Sequence, residues 1–552
     1  MNVNKANRYV STVETTTKRL NRFYQPHGLH TTFDSGLLVP IYLKEVLPND
    51  VRKLSWSAVT RLLTPLHPTM DNAKLDTFFF YVRNRDIWEH WTNFCGYSPS
   101  KWVSSNQYTI PQVRIPLGNG RKVGDLADYM GIPISNLYND SVIVNALPFR
   151  AVAKVWNDYF RDENYQDESY FPLDETSLAY SANVTYVNGI ANGRVVPPVN
   201  RYKDYFSSCL PAPQKGNPVE LPLGDYAPIV VDDSNDSVPG VPLFGAYTGD
   251  GSPSDAMVPF FQYSGGGSSA NYRKPLRQLS STQSAASTNP ASFTVKIRTD
   301  LKNATATTVN ALRIAFQTQR FLELSARGGT RYVELLQSMF GVNSPDLMLN
   351  RAEFLGGKSF PISLTPVTDV SSDGLGNVGG MSNTVSGDFA FKKHFTEHGY
   401  IIGFACVRTD RSYGQGIEPL WTRKALTDFY FPVFSHIGEQ PVYSRELFAT
   451  GTKSDDNVFG YKEAWSEYRI SFSKATSLMR PGGQNTLAAW TYTDSYSAPP
   501  VLNSEWLTHQ KAIIDRTIKA TNQQQFLADF YFDDTLYSVV SKNSAPGLID
   551  HY

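Results

Sequence analysis

Between residues 33 and 84 short apolar runs rich in β-branched and aromatic residues alternate with Pro, Asn and Asp, the signature of buried strands. Ser35-Gly-Leu-Leu-Val-Pro-Ile-Tyr-Leu-Lys-Glu-Val-Leu-Pro48 and Asp76-Thr-Phe-Phe-Phe-Tyr-Val-Arg-Asn84 read as two strands of one sheet. Pro40 lies inside the first, and a residue that cannot donate to a ladder predicts an edge position or a bulge there. Strand texture returns at 400–408 and at 465–472. Between these ends the period lengthens. Residues 85–95 place Ile87, Trp88, Trp91 and Phe94 on one side of a helix, and residues 149–160 do the same with Val152, Val155, Trp156 and Tyr159. A helical hairpin is predicted over 303–341. Its stripes are Val309, Leu312, Phe316 and Leu322, then Val333, Leu336 and Phe340, with a break at Gly328-Gly329 and a stop at Gly341. Strands at both ends of the chain with helices and loops between them predict one β-structure, residues 32–552, interrupted by long insertions, since lengthening a closed loop costs little.

One region breaks the pattern. Residues 219–299 are rich in Gly, Ser, Pro, Asp and Asn with little periodicity, which fits a linker or a functional surface loop. Phe260, Phe261, Tyr263 and Tyr272, interspersed there, favour a loop that folds on a neighbour.

Composition narrows the function classes. Charged residues make up 18% of the 552 residues, against about 25% in typical soluble domains, and 31 Tyr, 32 Phe and 9 Trp take up surface and core instead. Interface cores favour aromatics over Lys and Glu, so the balance suits a protein that adheres to neighbours. Lys plus Arg (51) equal Asp plus Glu (51), so no overall field drives the chain onto nucleic acid or membrane. The excess is local: Lys5, Arg8, Lys18, Arg19 and Arg22 face only Glu14 in residues 1–31, which read as a solvated terminus or as a basic arm facing nucleic acid. Three widely spaced cysteines, Cys95, Cys209 and Cys406, indicate neither a disulfide framework nor a zinc site and fit a reducing place of manufacture. No apolar run marks a signal peptide or a membrane span.

Three patterns invite an enzymatic reading. His394-Phe-Thr-Glu-His398 has the HxxEH form of certain zinc peptidases, yet Gly399 and a strand follow at once, where the chemistry needs a helix. Gly374-Leu-Gly-Asn-Val-Gly379 fits GxGxxG but runs on into loop residues, and Gly357-Lys-Ser359 lacks the glycine a phosphate loop needs five positions earlier, where Ala352 stands. No cofactor is expected.

With these elements placed, several long strings resemble the major capsid protein of the microviruses, in particular its gokushovirus-like branch. They are Phe33-Asp-Ser-Gly-Leu-Leu-Val-Pro-Ile-Tyr42, the run from Met70 to Asn84, Asp204-Tyr-Phe-Ser-Ser-Cys-Leu-Pro-Ala-Pro-Gln-Lys-Gly216, Ala326-Arg-Gly-Gly-Thr-Arg-Tyr332, Gly341-Val-Asn-Ser-Pro-Asp346, Arg408-Thr-Asp-Arg-Ser-Tyr-Gly-Gln-Gly416 and Phe459-Gly-Tyr-Lys-Glu-Ala-Trp-Ser-Glu-Tyr-Arg469. The resemblance spans nearly the whole chain. It implies a mainly β fold, an eight-stranded antiparallel jelly roll with partly helical insertions, and a T=1 icosahedral shell of sixty copies around circular single-stranded DNA. It implies that 219–299 is a variable insertion projecting from the shell near its threefold axes toward a host cell-surface receptor. Its implied partners are further copies of the chain, an internal scaffolding protein during assembly, a small basic DNA-binding protein, a DNA pilot protein and the genome. Its implied location is the virion, assembled in the bacterial cytoplasm. A phage spike or a carbohydrate- or receptor-binding β-protein is the alternative that the aromatic loops also permit, and a metallohydrolase through His394, Glu397 and His398 is the other.

Overall fold

Strand β3 (Val51–Leu62) sends every second side chain inward and the others to solvent, the period-2 habit of a sheet with one wet face. It belongs to a five-stranded antiparallel sheet with β1 (His27–Phe33), β6 (Thr384–His394) and β8 (Phe526–Ser538), in the order β1-β8-β3-β6, the fifth strand, Asn21–Tyr24, pairing with a further part of β8. A second antiparallel sheet contains β2 (Val39–Val46), β4 (Ala73–Arg83), β5 (Glu353–Pro361) and β7 (Gly399–Thr409), in the order β5-β4-β7-β2. This computed structural model describes residues 19–97, 108–118, 121–135, 140–181, 184–219, 229–231, 244–247, 253–258, 277–278, 297–299, 309–368 and 378–543.

The two sheets face each other across an aromatic core. Tyr42 packs on Phe532 with ring centroids 5.2 Å apart, Trp56 on Phe360 at 5.6 Å, and Phe79 on Phe391 at 6.1 Å. Burying each such ring contributes roughly 1.5–3 kcal/mol. β8, near the end of the chain, lies between β1 and β3, with Phe33 opposite Phe526 and Trp56 opposite Phe532. The ends of the chain therefore close the sheet that its early strands begin.

The second sheet is covered on its other side as well. Helix α1 (Leu147–Val155) runs into a single π turn, Trp156–Phe160, which brings Phe160 to within 5.2 Å of Phe78 and Tyr159 to within 4.8 Å of Phe80. β7 is accordingly buried along nearly its whole length. A second apolar cluster, built on Tyr205, Phe206, Tyr413, Phe459 and Trp506, is tied in by buried ion pairs. Arg201 and Arg411 bracket Asp494 at 2.8 and 2.7 Å, Tyr496 donates to the same carboxylate at 2.6 Å, and Arg411 meets Nδ1 of His509 at 2.9 Å. Burial would push the Asp494 carboxyl up, but the two guanidinium groups hold it below the usual carboxylate range, while burial and the same arginines hold His509 well below 6.5.

Several expectations are met and others corrected. Pro40 sits on the edge strand β2 and at a bulge, since Tyr42 faces Gly403 while Pro40 faces Phe404. The runs at 35–48 and 76–84 do share a sheet, separated by β7. Residues 85–95 form two single turns, Asn84–Ile87 and Trp91–Phe94, not one helix. The strand expected at 465–472 is absent. The strand is Val458–Glu463, paired with Glu439–Tyr443. Trp465 then turns into the left-handed region (φ 66°), its Nε1 donating to the Phe434 carbonyl at 2.8 Å, and Ser466–Tyr468 wind into a 3-10 turn. Tertiary anchoring of one indole outweighs the local alternation there. Within the 1–31 segment, Asn21–Tyr24 and the residues from His27 onward pair with β8, so this described part is built into the sheet.

Residues 216–322 form one compact unit, and residues up to 215 together with those from 323 form the other. In the smaller unit Ile229–Val231 pairs with Ile297–Thr299, and Phe244–Tyr247 pairs with Pro253–Val258 and Arg277–Gln278, all antiparallel. Where the helical hairpin was expected lie two helices, α2 (Val309–Arg327) and α3 (Tyr332–Phe340), the latter ended by Gly341 in the left-handed region that a side chain rarely adopts.

Candidate functional site

One face of the β1-β8-β3-β6 sheet is uncovered and is the candidate contact surface. Alternation along β8 turns Leu527, Asp529, Tyr531 and Asp533 outward, and along β3 it turns out Lys53, Ser57, Val59 and Arg61. Beside them, at the chain's entry to the sheet, stand Arg22 and Tyr24, both exposed. Two shallow grooves cross this face. One, of about 590 Å³, is lined by His30, Thr32, Val59, Arg61, Leu527 and Asp529, with the His30 ring 3.1 Å from the Asp529 carboxylate. The other, of about 300 Å³, is lined by Arg22, Tyr24, Lys53, Ser55, Asp533 and Thr535. Asp533 holds the Tyr24 phenol above its ordinary value, so the ring stays a neutral stacking and donor group. Cations, aromatic rings and hydroxyls in open grooves suit contact with an extended chain.

The candidate motifs separate in space. His394 ends β6 and its Nε2 lies 2.9 Å from Oδ1 of Asn49. Glu397 accepts from Nε of Arg85 at 2.7 Å, and the His398 ring packs edge-on against Trp91 with centroids 5.4 Å apart. The three side chains engage three different partners in a turn between strands. Among the described residues no group of three His, Cys, Asp or Glu side chains is placed to hold a metal ion. Gly357-Lys-Ser359 lies inside β5, where Lys358 pairs with Asp388 at 3.0 Å. Gly379 is part of the strand Val378–Ser382, while residues 374–377 lie outside the described residues.

Of the basic arm, Arg19 and Arg22 are described and exposed, and Arg22 lies opposite Tyr537 in the ladder with β8. Lys5, Arg8 and Lys18 lie outside the described residues, as do Phe260, Phe261, Tyr263 and Tyr272. These two helices leave apolar side chains uncovered: Val309, Leu312 and Phe316 on α2 and Tyr332 and Phe340 on α3 are exposed. A lone chain that shows this much apolar surface is built to be covered by others.

Comparison with known proteins decides what kind of protein this is. Residues 11–548 match the family described as capsid protein (F protein). This chain belongs to that capsid family. It is 34% identical to capsid protein VP1 of Chlamydia phage 1 over 98% of this chain and 97% of the relative. It is 34% identical to capsid protein VP1 of Spiroplasma virus 4, over 96% and 95%, and 33% identical to that of Bdellovibrio phage phiMH2K, over 95% and 94%. The capsid protein is therefore a structural and not a catalytic molecule, a component of the virion that assembles with copies of itself, and the resemblance read from its long strings to the microvirus capsid family holds.

Sequence reasoning named none of the strands β1, β3, β6 and β8, and so missed the whole exposed sheet face. The signal was present, because Val51-Arg-Lys-Leu-Ser-Trp-Ser-Ala-Val-Thr-Arg-Leu62 alternates with Leu54, Trp56, Ala58 and Leu62 inward. The Arg201–Asp494–Arg411–His509 cluster carried no such signal, because the residues that pair in it are 83 to 293 positions apart in the chain.

Proposed function

We propose that the chain is the subunit of a sixty-copy, T=1 icosahedral shell enclosing circular single-stranded DNA, and that its eight long strands form the jelly roll of viral capsid proteins. The observation carrying this reading is the pairing order β1-β8-β3-β6 facing β5-β4-β7-β2, in which strands remote in sequence alternate across two sheets. Residues 219–299 project outward to a host cell-surface receptor in this reading, as an inserted unit with its own short strands. An internal scaffolding protein, a small basic DNA-binding protein and a DNA pilot protein complete the assembly, because a chain with balanced charge does not neutralise packaged phosphates by itself.

Electron microscopy and sedimentation of the chain expressed with its scaffolding protein test the reading. Uniform closed particles are expected. Small cyclic oligomers alone would point instead to a spike or receptor-binding protein.

The wet face of the β1-β8-β3-β6 sheet, continued by the basic segment, meets the genome in this reading. Arg22 and Tyr24 stand where that segment enters the sheet, next to Lys53. Reversing Lys5, Arg8, Lys18, Arg19 and Arg22 to Glu is expected to lower the DNA content of purified particles severalfold while empty shells still form. Unchanged packaging would reject a genome contact at this segment.

A further inference from the structure

Among the described residues of the larger unit, 417–437 expose more apolar side chains than any other stretch of comparable length. Trp421 is 76% exposed and Val433 88%, with Leu420, Leu426 and Ile437 each more than half exposed. The aromatic run Phe429, Tyr430 and Phe431 adds three rings that are between two-fifths and one-half exposed. With aromatic side chains presenting about 150–250 Å² each and aliphatic ones somewhat less, this segment leaves on the order of 900 Å² of apolar-residue surface bare. Lone soluble proteins rarely leave more than about 300–600 Å² in one patch, and about 800 Å² per partner is what a stable protein interface buries.

The segment is held in shape. Three short 3-10 turns, Pro419–Trp421, Leu426–Asp428 and Pro432–Phe434, fold it, and Asp428 accepts from the amides of Lys424 and Ala425 at 2.7 and 2.8 Å. Arg423 reaches Glu467 at 3.2 Å and lies over the Tyr468 ring at 4.7 Å, while Trp465 holds the Phe434 carbonyl and packs edge-on against Tyr430 at 5.7 Å. A pre-shaped surface loses little conformational entropy on docking, so its apolar area converts efficiently into binding.

We infer that the 417–437 segment is a principal contact between copies of this chain, with Trp421 and Val433 as its anchors. The inference rests on the shell reading above and names the element that does the adhering. A second copy is the occupant for two reasons. Glu418 and Asp428 balance Arg423 and Lys424, so the segment has no charge excess with which to hold DNA. Its density of Trp, Phe and Leu matches permanent interfaces, whereas a scaffolding partner must later let go.

The test uses the full chain co-expressed with its scaffolding protein, comparing wild type, the Val433→Asp variant and the Trp421→Ser, Val433→Asp double variant. The expected result is at least a tenfold loss of closed particles by sedimentation and electron microscopy, with soluble chains whose melting temperature matches that of unassembled wild type. Should the double variant melt lower, Val433→Asp alone decides, because its side chain projects into solvent. Particle yield at the wild-type level overturns the inference. So does a variant that has lost only its binding to purified scaffolding protein while copies still associate. A wild-type chain that makes only small cyclic oligomers removes the shell reading, and the inference then stands if the double variant dissociates those oligomers and falls if they persist.

Discussion

The two facing sheets are alike in antiparallel pairing but opposite in how they meet their surroundings. On the β1-β8-β3-β6 sheet, Phe530 and Phe532 are buried while their neighbours Leu527 and Tyr531 are exposed, so a single apolar face suffices. On the central strands β4 and β7 of the β5-β4-β7-β2 sheet consecutive residues are buried together: Ile401 and Phe79 point toward the facing sheet, Ile402 and Phe80 toward Tyr159 and Phe160. The first sheet is left free to face a partner, and the second is a platform on which the 84–215 insertion is built. One fold thus supplies a rigid wall and an open face from similar strands, by covering one of them.

The comparison is broken most forcefully where the insertion is tied down. Asp494→Ala leaves Arg201 and Arg411 buried without a counter-charge, and a loss of about 3–5 kcal/mol is expected. A urea midpoint of the unassembled chain within error of wild type would refute it. The next test is positional. Ile401→Ala and Ile402→Ala are each expected to cost about 2–5 kcal/mol, whereas of the adjacent pair on the open sheet only Phe530→Ala should cost that much, with Tyr531→Ser within about 0.5 kcal/mol of wild type. If Ile402→Ala proved neutral, the second sheet would not be covered in solution.

The smallest effect concerns pH. Glu446, buried beside Tyr205 and the amide of Tyr443, has its carboxyl pushed up to about 7, chiefly by burial. The folded chain then holds a proton that the unfolded chain releases from about pH 4.5, so its contribution is fully present below 4.5 and lost as pH rises toward 7. Glu446→Gln is expected to stabilise the chain by about 2 kcal/mol at pH 8 and to change nothing at pH 4.5, read from melting curves at both pH values. An equal shift at both would place the effect in packing and not in titration. His509 acts in the other sense: its depressed pKa costs stability as pH falls below about 6.5.

Legibility in the sequence followed locality. The continuous apolar runs of β2, β4 and β7 stood out because strands buried on both faces need no polar positions. Pro40 announced its edge and its bulge because a missing amide can be tolerated in few places. Trp465 misled because the alternation around it is real, yet its indole is anchored by a carbonyl thirty-one residues away in the chain. The exposed 417–437 segment reads as ordinary apolar sequence, since nothing local distinguishes a hydrophobic residue bound for the core from one left outside.

By itself the sequence determined the β-rich class of the chain, the places of β2, β4 and β7, the two helices α2 and α3 and, through its long shared strings, membership in a capsid family. Only the tertiary structure decided that β8 lies between β1 and β3, that one sheet is covered and the other bare, and which aromatic side chains are left for neighbours. The physical reason is range. Periodicity and turn chemistry act over a few residues, whereas pairing, coverage and exposure depend on segments brought together from opposite ends of the chain.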